Sequence, residues 1–317
     1  MSFELNEIFV PECLGKCNKG TRNRFAPKGI CVKLNSKLDG LPLRCVGGWS
    51  KQKIFYLLKY FEIFAKAMHL KWDGNINYVE ICSGTGRCID RDSKLEFDGS
   101  SLAMLNKQEF QLLSNAIFVD FDNEVIGILK RRFKNLNAGK YHVLHGDYTN
   151  SKPLVESLKS LIDVKTGLTL FFIDPTDCGL PFSLITRIKE SFPNSDFIIN
   201  VAIGTDFTRN VLGSIMNPES YVRVRNKYIR FLGSKDFFND PSTLLLAERG
   251  DLHKLRSKFR EYYMQSLALI DLKYSAFIRV RPYYDIVFAS QNKLGLKFWD
   301  AATRNKIDGQ KSLRFDN

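Results

Sequence analysis

What most constrains this chain is a series of short apolar runs spaced by helix-length segments. The runs occupy residues 77–82, 116–120, 142–144, 168–173 and 196–201. Strands that are apolar on both faces must be covered on both, and helix-length connections let successive strands run the same way. The fold class is therefore α/β, with a mostly parallel sheet between helices. Ahead of the first run, Ile54, Leu57, Leu58, Phe61, Phe64, Ala65 and Met68 recur at three- and four-residue spacing behind Ser50, a candidate helix N-cap. Near the end, residues 274–280 and 283–289 flank Arg281 and Pro282 and predict an antiparallel hairpin.

Composition sets the outer limits. With 317 residues, 44% hydrophobic and 13% aromatic, the chain has enough apolar surface to bury a large core. No apolar run approaches the ~20 residues that a bilayer-spanning helix needs, so no membrane association is expected. The first residues carry Glu4 and Glu7 and lack a basic, apolar leader, which predicts a cytoplasmic protein. Seven scattered cysteines do not make a secreted disulfide framework, and reduced thiols are expected. Glycines and prolines without apolar periodicity predict an irregular arm over residues 1–48. The α/β domain is expected over 49–304 with an inserted basic segment at 205–270, and a tail over 305–317.

The chemistry gathers at the ends of the runs. Glu80 and Cys82 lead into Ser83-Gly84-Thr85-Gly86, where glycine allows a tight turn and close approach of a ligand to backbone. The next run ends in Asp120, placed to accept hydrogen bonds from a ribose diol, and Asp122 is a candidate helix N-cap. Gly146-Asp147 and Asp174-Pro175 end the third and fourth runs. A dinucleotide site would want a further glycine where Ile89 stands, so NAD is the weaker cofactor reading. The 36 residues from Gly84 to Asp120, rather than ~20, imply an insertion.

This ordered set resembles the class I S-adenosylmethionine-dependent methyltransferases. The resemblance implies a Rossmann-like fold, with a mostly parallel seven-stranded sheet whose antiparallel last strand inserts between the fifth and sixth. It also implies S-adenosylmethionine as cofactor, with Glu80, Cys82, Gly84, Gly86, Asp120 and Asp147 as its binding residues. The flanks look like a narrower group, the three-Cys-motif partner (TcmP) family. They are Asp39-Gly40-Leu41-Pro42, Gly48-Trp49-Ser50 with Lys53, residues 60–64, 99–103, 118–122 and 172–175, Phe231-Leu232-Gly233-Ser234 and residues 295–299. That resemblance implies a bacterial protein with a cysteine-motif partner protein. The sequence departs from the family pattern at Ser101, where proline is usual, and at Asp177-Cys178, where a glycine-rich turn is usual.

Asp174-Pro175-Thr176-Asp177 stands where amine-directed methyltransferases hold an exocyclic amine between a carboxylate and a backbone carbonyl. Asp174 and Pro175 are accordingly the candidate catalytic residues, against the plainer reading that Asp174 caps a loop. Cys82 and Cys178 could act as nucleophiles, but no histidine is placed to activate them, and small buried hydrophobes are the favoured reading. Cys13, Cys17, Cys31 and Cys45 could supply thiolates to zinc, although no C-x-x-C pair is present; structural thiols are favoured, and no metal site is assigned. A net charge of +13 with basic, ring-bearing clusters at 221–230 and 249–260 predicts a nucleic-acid partner, RNA or DNA. The alternative is a noncatalytic nucleic-acid- or partner-binding protein with the same fold.

Overall fold

The computed structural model describes residues 5–15, 24, 26–134, 136, 140–280, 283–304 and 307. Its strands are β1 (Ile8–Phe9), β2 (Ile30–Asn35), β3 (Pro42–Val46), β4 (Ile76–Ile81), β5 (Arg87–Asp90) and β6 (Leu95–Asp98). They continue as β7 (Asn115–Asp120), β8 (Tyr141–His145), β9 (Leu168–Ile173), β10 (Ser195–Val201), β11 (Tyr274–Val280) and β12 (Tyr284–Ser290).

Seven of them form one sheet in the order β11-β12-β10-β9-β4-β7-β8. β4, β7 and β8 are parallel, as are β9 and β10, whereas β12 runs antiparallel to both β10 and β11. The last strand therefore lies between the fifth and sixth, as the methyltransferase resemblance implied. Every residue of β4, β9 and β10 is buried, which is why these runs lack polar alternation. Residues 281 and 282, between β11 and β12, lie outside the described residues. Among the described residues no helix is long and apolar enough to cross a membrane.

The chain divides into two compact units, Met1–Gly146 with Asp300–Asn317, and Asp147–Trp299. This grouping differs from the division expected at residues 48 and 304. The supposed irregular arm supplies β1, β2 and β3, which join β5 and β6 in a five-stranded sheet of order β1-β6-β5-β3-β2. The insertion between Gly84 and Asp120 is thus the partner that makes the early segment regular. Polar pairing holds this sheet: Arg87 reaches Glu96 at 2.6 Å and also Asp98, all three almost fully buried. Glu96 also accepts from Ser36 Oγ and the Lys37 N–H, so the buried charge is hydrogen-bonded throughout.

The first unit's core is a run of ring contacts, Phe61 to Tyr78, Phe118, Phe133 and Tyr141, from the helix Trp49–Met68 through β4 and β7 to β8. The second unit has its own aromatic core of Phe207, Tyr228, Phe231, Phe237, Phe259 and Tyr263. These rings come from a π-helical turn, Ile203–Phe207, and from helices Val222–Leu232, Asp236–Asn239 and Leu252–Leu269. The basic segment expected at 205–270 is therefore a helical layer with a packed interior. Residues 305, 306 and 308–317 of the expected tail lie outside the described residues.

Candidate functional site

In the first unit the loop after β4 is drawn onto the end of β7. The N–H groups of Cys82 and Ser83 both donate to the Val119 carbonyl at 2.9 Å. Cys82, Gly84 and Gly86 all have left-handed backbones, at φ +71°, +65° and +88°. A Cβ at Gly86 would approach Leu129 Cδ1 to 3.0 Å, so that position is closed to larger residues by conformation and by packing. The Gly84 N–H donates to Asp120 Oδ2 at 3.0 Å, and the Asp122 N–H donates to Oδ1 at 3.2 Å. Asp122 also caps the helix Asn123–Phe133 through the Glu124 N–H, as its sequence position predicts.

Asp120 is 6% exposed, and a carboxylate has about four lone-pair positions, so two N–H bonds leave capacity for further donors. Next to it in the chain, just past the end of β7, stands Phe121, 60% exposed. A nearly enclosed carboxylate next to an uncovered ring suits a ligand that carries hydroxyl donors and a flat apolar group. Phe121 falls within residues 118–122, where the sequence does not distinguish an exposed ring from a core ring.

Glu80 is placed differently. It is fully buried and accepts from the Tyr78 hydroxyl at 2.9 Å and from Ser100 Oγ, which ties β4 to the helix Ser100–Leu105. Ser101 donates its hydroxyl to the Ser83 carbonyl at 3.1 Å. Arg132 also secures this loop. Its guanidinium donates to the Thr85 and Leu41 carbonyls and to both Asp39 carboxylate oxygens. Burial works to raise the Asp39 pKa, but the Arg132 hydrogen bonds, the Leu41 N–H and the Arg132 charge together outweigh it and hold the carboxyl below its ordinary value. Sequence spacing gave no hint of Arg132, because its partners lie 47 to 93 residues earlier.

In the second unit, Asp147 is exposed and its Oδ1 accepts from the Thr149 N–H and hydroxyl at 2.8 and 2.7 Å, a local turn ahead of the helix Ser151–Lys159. Asp174 and Pro175 follow β9. The Asn200 side-chain amide donates to Asp174 Oδ1 at 2.8 Å and to the Pro175 carbonyl at 3.3 Å. These are the two acceptors expected for a substrate amine, and an amide of the chain itself spans them. Asn200 is 1% exposed, and its Oδ1 has no hydrogen-bond partner among the described residues.

The rest of that loop is held by ions. Lys227 Nζ lies 2.6 Å from Asp206 Oδ2 and 3.3 Å from Asp177 Oδ2, and Asp206 Oδ2 also accepts the Cys178 N–H at 3.0 Å. Burial works against the charge on Lys227, but the hydrogen bonds and charges of Asp206 and Asp177 together outweigh it and raise the lysine pKa. Complete burial, reinforced by the Asp206 charge, pushes the Cys178 thiol well above its ordinary value. Cys178 is therefore a packed thiol and no nucleophile. Cys13, Cys31 and Cys45 pack in an apolar cluster with Val10, Leu43 and Ile89, and Cys17 lies outside the described residues.

The basic clusters are largely committed inside their unit. Lys227 is paired as above, and Arg225 stacks on Phe238 and donates to the Ser214 carbonyl. Lys258 pairs with Asp240, Arg260 with Asp285, and Arg256 donates to the Thr208 hydroxyl. Exposed Arg223, Arg230 and Arg249 have no ion pair among the described residues. In the first unit, exposed Lys130, Arg131 and Lys134 line an open groove of about 470 Å³ with Tyr141, His142, Val143 and Leu144. None of these three cations has an ion pair among the described residues. Sequence reasoning missed this groove, since it joins the last turn of one helix to the edge strand β8.

No known family's sequence profile matches the chain, and no curated protein matches it either. Solved structures do. An S-adenosylmethionine-dependent methyltransferase from Clostridium acetobutylicum is similar at 13% identity over 50% of this chain and 53% of its own, with a TM-score of 0.29. A ribosomal RNA methylase from Streptococcus thermophilus gives 8% identity over 71% and 96%, with a TM-score of 0.35. Human methyltransferase-like protein 13, in complex with SAH, gives 10% identity over 86% and 97%, with a TM-score of 0.40. The chain spans about half the length of the clostridial protein. Likenesses this distant carry no argument about activity, and the strand order stands on its own.

Proposed function

We propose that this chain is an S-adenosylmethionine-dependent methyltransferase of the three-Cys-motif partner kind, acting on a nucleic acid in the cytoplasm beside a cysteine-motif partner protein. The observation that carries the cofactor reading is Asp120: nearly enclosed, oriented by the Gly84 and Asp122 N–H groups, and flanked by the uncovered ring of Phe121. The residues fit an adenosine, with Asp120 accepting from the ribose hydroxyls and Phe121 covering a face of the adenine. S-adenosylmethionine supplies an electrophilic methyl group when bound. Cys82, Gly84 and Gly86 keep the backbone close enough to touch the ligand, and Glu80, held by Tyr78 and Ser100, and Asp147 complete the proposed set.

The nucleic-acid reading rests on the +13 charge and on which cations remain available. Lys130, Arg131 and Lys134 in their groove, with Arg223, Arg230 and Arg249, are candidates to neutralise phosphates and release counterions. Asp174 and Pro175 remain the proposed acceptor loop, and a substrate amine would have to displace the Asn200 amide to use them. That same bond favours the second reading, a nucleic-acid- or partner-binding protein without catalysis.

Calorimetric titration with S-adenosylhomocysteine tests the cofactor: heat and thermal stabilisation are expected, and neither at saturating ligand overturns the enzyme reading. Incubation with tritiated S-adenosylmethionine and separate pools of transfer RNA, ribosomal RNA, DNA and protein then tests the acceptor. Label in protein alone overturns the nucleic-acid reading, and binding without label in any pool favours the noncatalytic one.

A further inference from the structure

We infer that Arg44 receives the α-carboxylate of the cofactor's amino-acid portion, an assignment that rests on the cofactor reading above. Arg44 sits on β3, in register with Ile30 of β2 and Cys88 of β5, so the small sheet built from the early segment and the insertion sets its position. Its side chain is half-buried and reaches the glycine loop. A Cβ built on Gly84 would lie 3.6 Å from Arg44 Cδ and 3.9 Å from Nη1. Apart from its own chain neighbours, no other residue among those described comes within 4 Å of that point. The space over Gly84 is thus bounded on one side by the loop backbone and on the other by a guanidinium.

Gly29 also lies against this group. Its backbone is left-handed at φ +83°, and a Cβ there would lie 3.7 Å from Arg44 Cζ. Among the described residues, Arg44 has neither an ion pair nor a side-chain hydrogen bond. Two buried arginines of this unit are committed: Arg87 to Glu96 and Asp98, Arg132 to Asp39 and two carbonyls. A half-buried guanidinium without a counter-ion is costly unless something anionic completes it, and its planar fork matches a carboxylate in bidentate fashion. Gly84 is also the residue whose N–H orients Asp120, so the loop touches the proposed ribose site at one atom and faces Arg44 at another. An adenosyl ligand with a terminal carboxylate spans such a pair of features; one without that carboxylate uses only the first.

The test compares two ligands on wild-type protein and on Arg44→Met, which keeps most of the apolar stem. S-adenosylhomocysteine carries the carboxylate and 5′-methylthioadenosine lacks it. Titration calorimetry on Arg44→Met should show S-adenosylhomocysteine weakened about ten- to a hundredfold, the size of a charge-assisted bidentate pair, with 5′-methylthioadenosine unchanged. Unchanged 5′-methylthioadenosine binding also shows that the variant is folded. Arg44→Lys should fall between the two, because a point charge replaces the fork. Wild-type protein that binds both ligands, with Arg44→Met losing both equally or neither, overturns the Arg44 assignment and leaves the cofactor reading standing. Wild-type protein that binds neither ligand overturns both. A variant that loses only oligonucleotide affinity, with S-adenosylhomocysteine unaffected, assigns the guanidinium to phosphate instead and overturns the inference.

Discussion

The loop after β4 and the loop after β9 both follow fully buried parallel strands, yet they are finished in opposite ways. In the first, backbone N–H groups orient Asp120, spare acceptor capacity remains, Phe121 is uncovered and Arg44 has no counter-ion among the described residues. In the second, Asn200 spans Asp174 and Pro175, and Lys227 neutralises Asp177 and Asp206. One set of polar groups is left for a ligand to complete, and the other is largely completed by the chain. The contrast teaches that an acid at a strand end is a candidate only until its partners are counted. It also explains why the structure supports the cofactor side of the proposal better than the acceptor side.

Four substitutions break or sharpen this contrast. Asp120→Ala removes the proposed diol acceptor and should weaken S-adenosylhomocysteine by about a hundredfold or more, from two hydrogen bonds to a charged group. Binding within twofold of wild type would remove Asp120 from the site. Lys227→Met should act on stability instead, costing about 2 kcal/mol in urea unfolding because Asp206 loses its cation in a half-buried place. Cofactor affinity should stay the same, and a large loss of affinity there would mean that the two loops are not independent.

Phe121→Ala should weaken S-adenosylhomocysteine by roughly fivefold, about 1 kcal/mol, as expected for losing an aromatic contact. Its melting temperature should not move, because the ring is 60% exposed and packs little in the free protein. A lower melting temperature with unchanged affinity would make Phe121 a core residue. The smallest effect is expected from Asp39→Asn, about 0.5–1 kcal/mol at pH 7. The folded Asp39 carboxyl lies below its ordinary 3.8, so its stabilisation is present above that value and is lost as pH falls through the lower folded one. The gap between wild type and variant should therefore close in acid. A gap that persists at the lowest pH would assign the effect to packing.

Much of the sheet could be read in the sequence because its physical cause is local. A strand buried on both faces has to be apolar at successive positions, as in residues 168–173, and an N-cap such as Asp122 acts on the next turn. The five-stranded sheet was hidden for the opposite reason. β2 and β3 carry lysine, arginine and asparagine on partly exposed faces, and they become strands only because β5 and β6 arrive from an insertion some 40 residues later. The basic clusters misled similarly: composition counted Arg260 and Lys258 as available charge, whereas Asp285 and Asp240 consume them.

The sequence by itself determined the α/β class, the run of parallel strands, the closing antiparallel strand and the positions of Gly84, Asp120 and Asp174, because strand burial and tight turns are written in neighbouring residues. Only the tertiary structure decided which of those groups remain available. Whether a carboxylate, amide or guanidinium has a partner depends on side chains brought from 26 to 93 residues away, as with Asn200 on Asp174 and Arg132 on Asp39, and no local pattern encodes that distance.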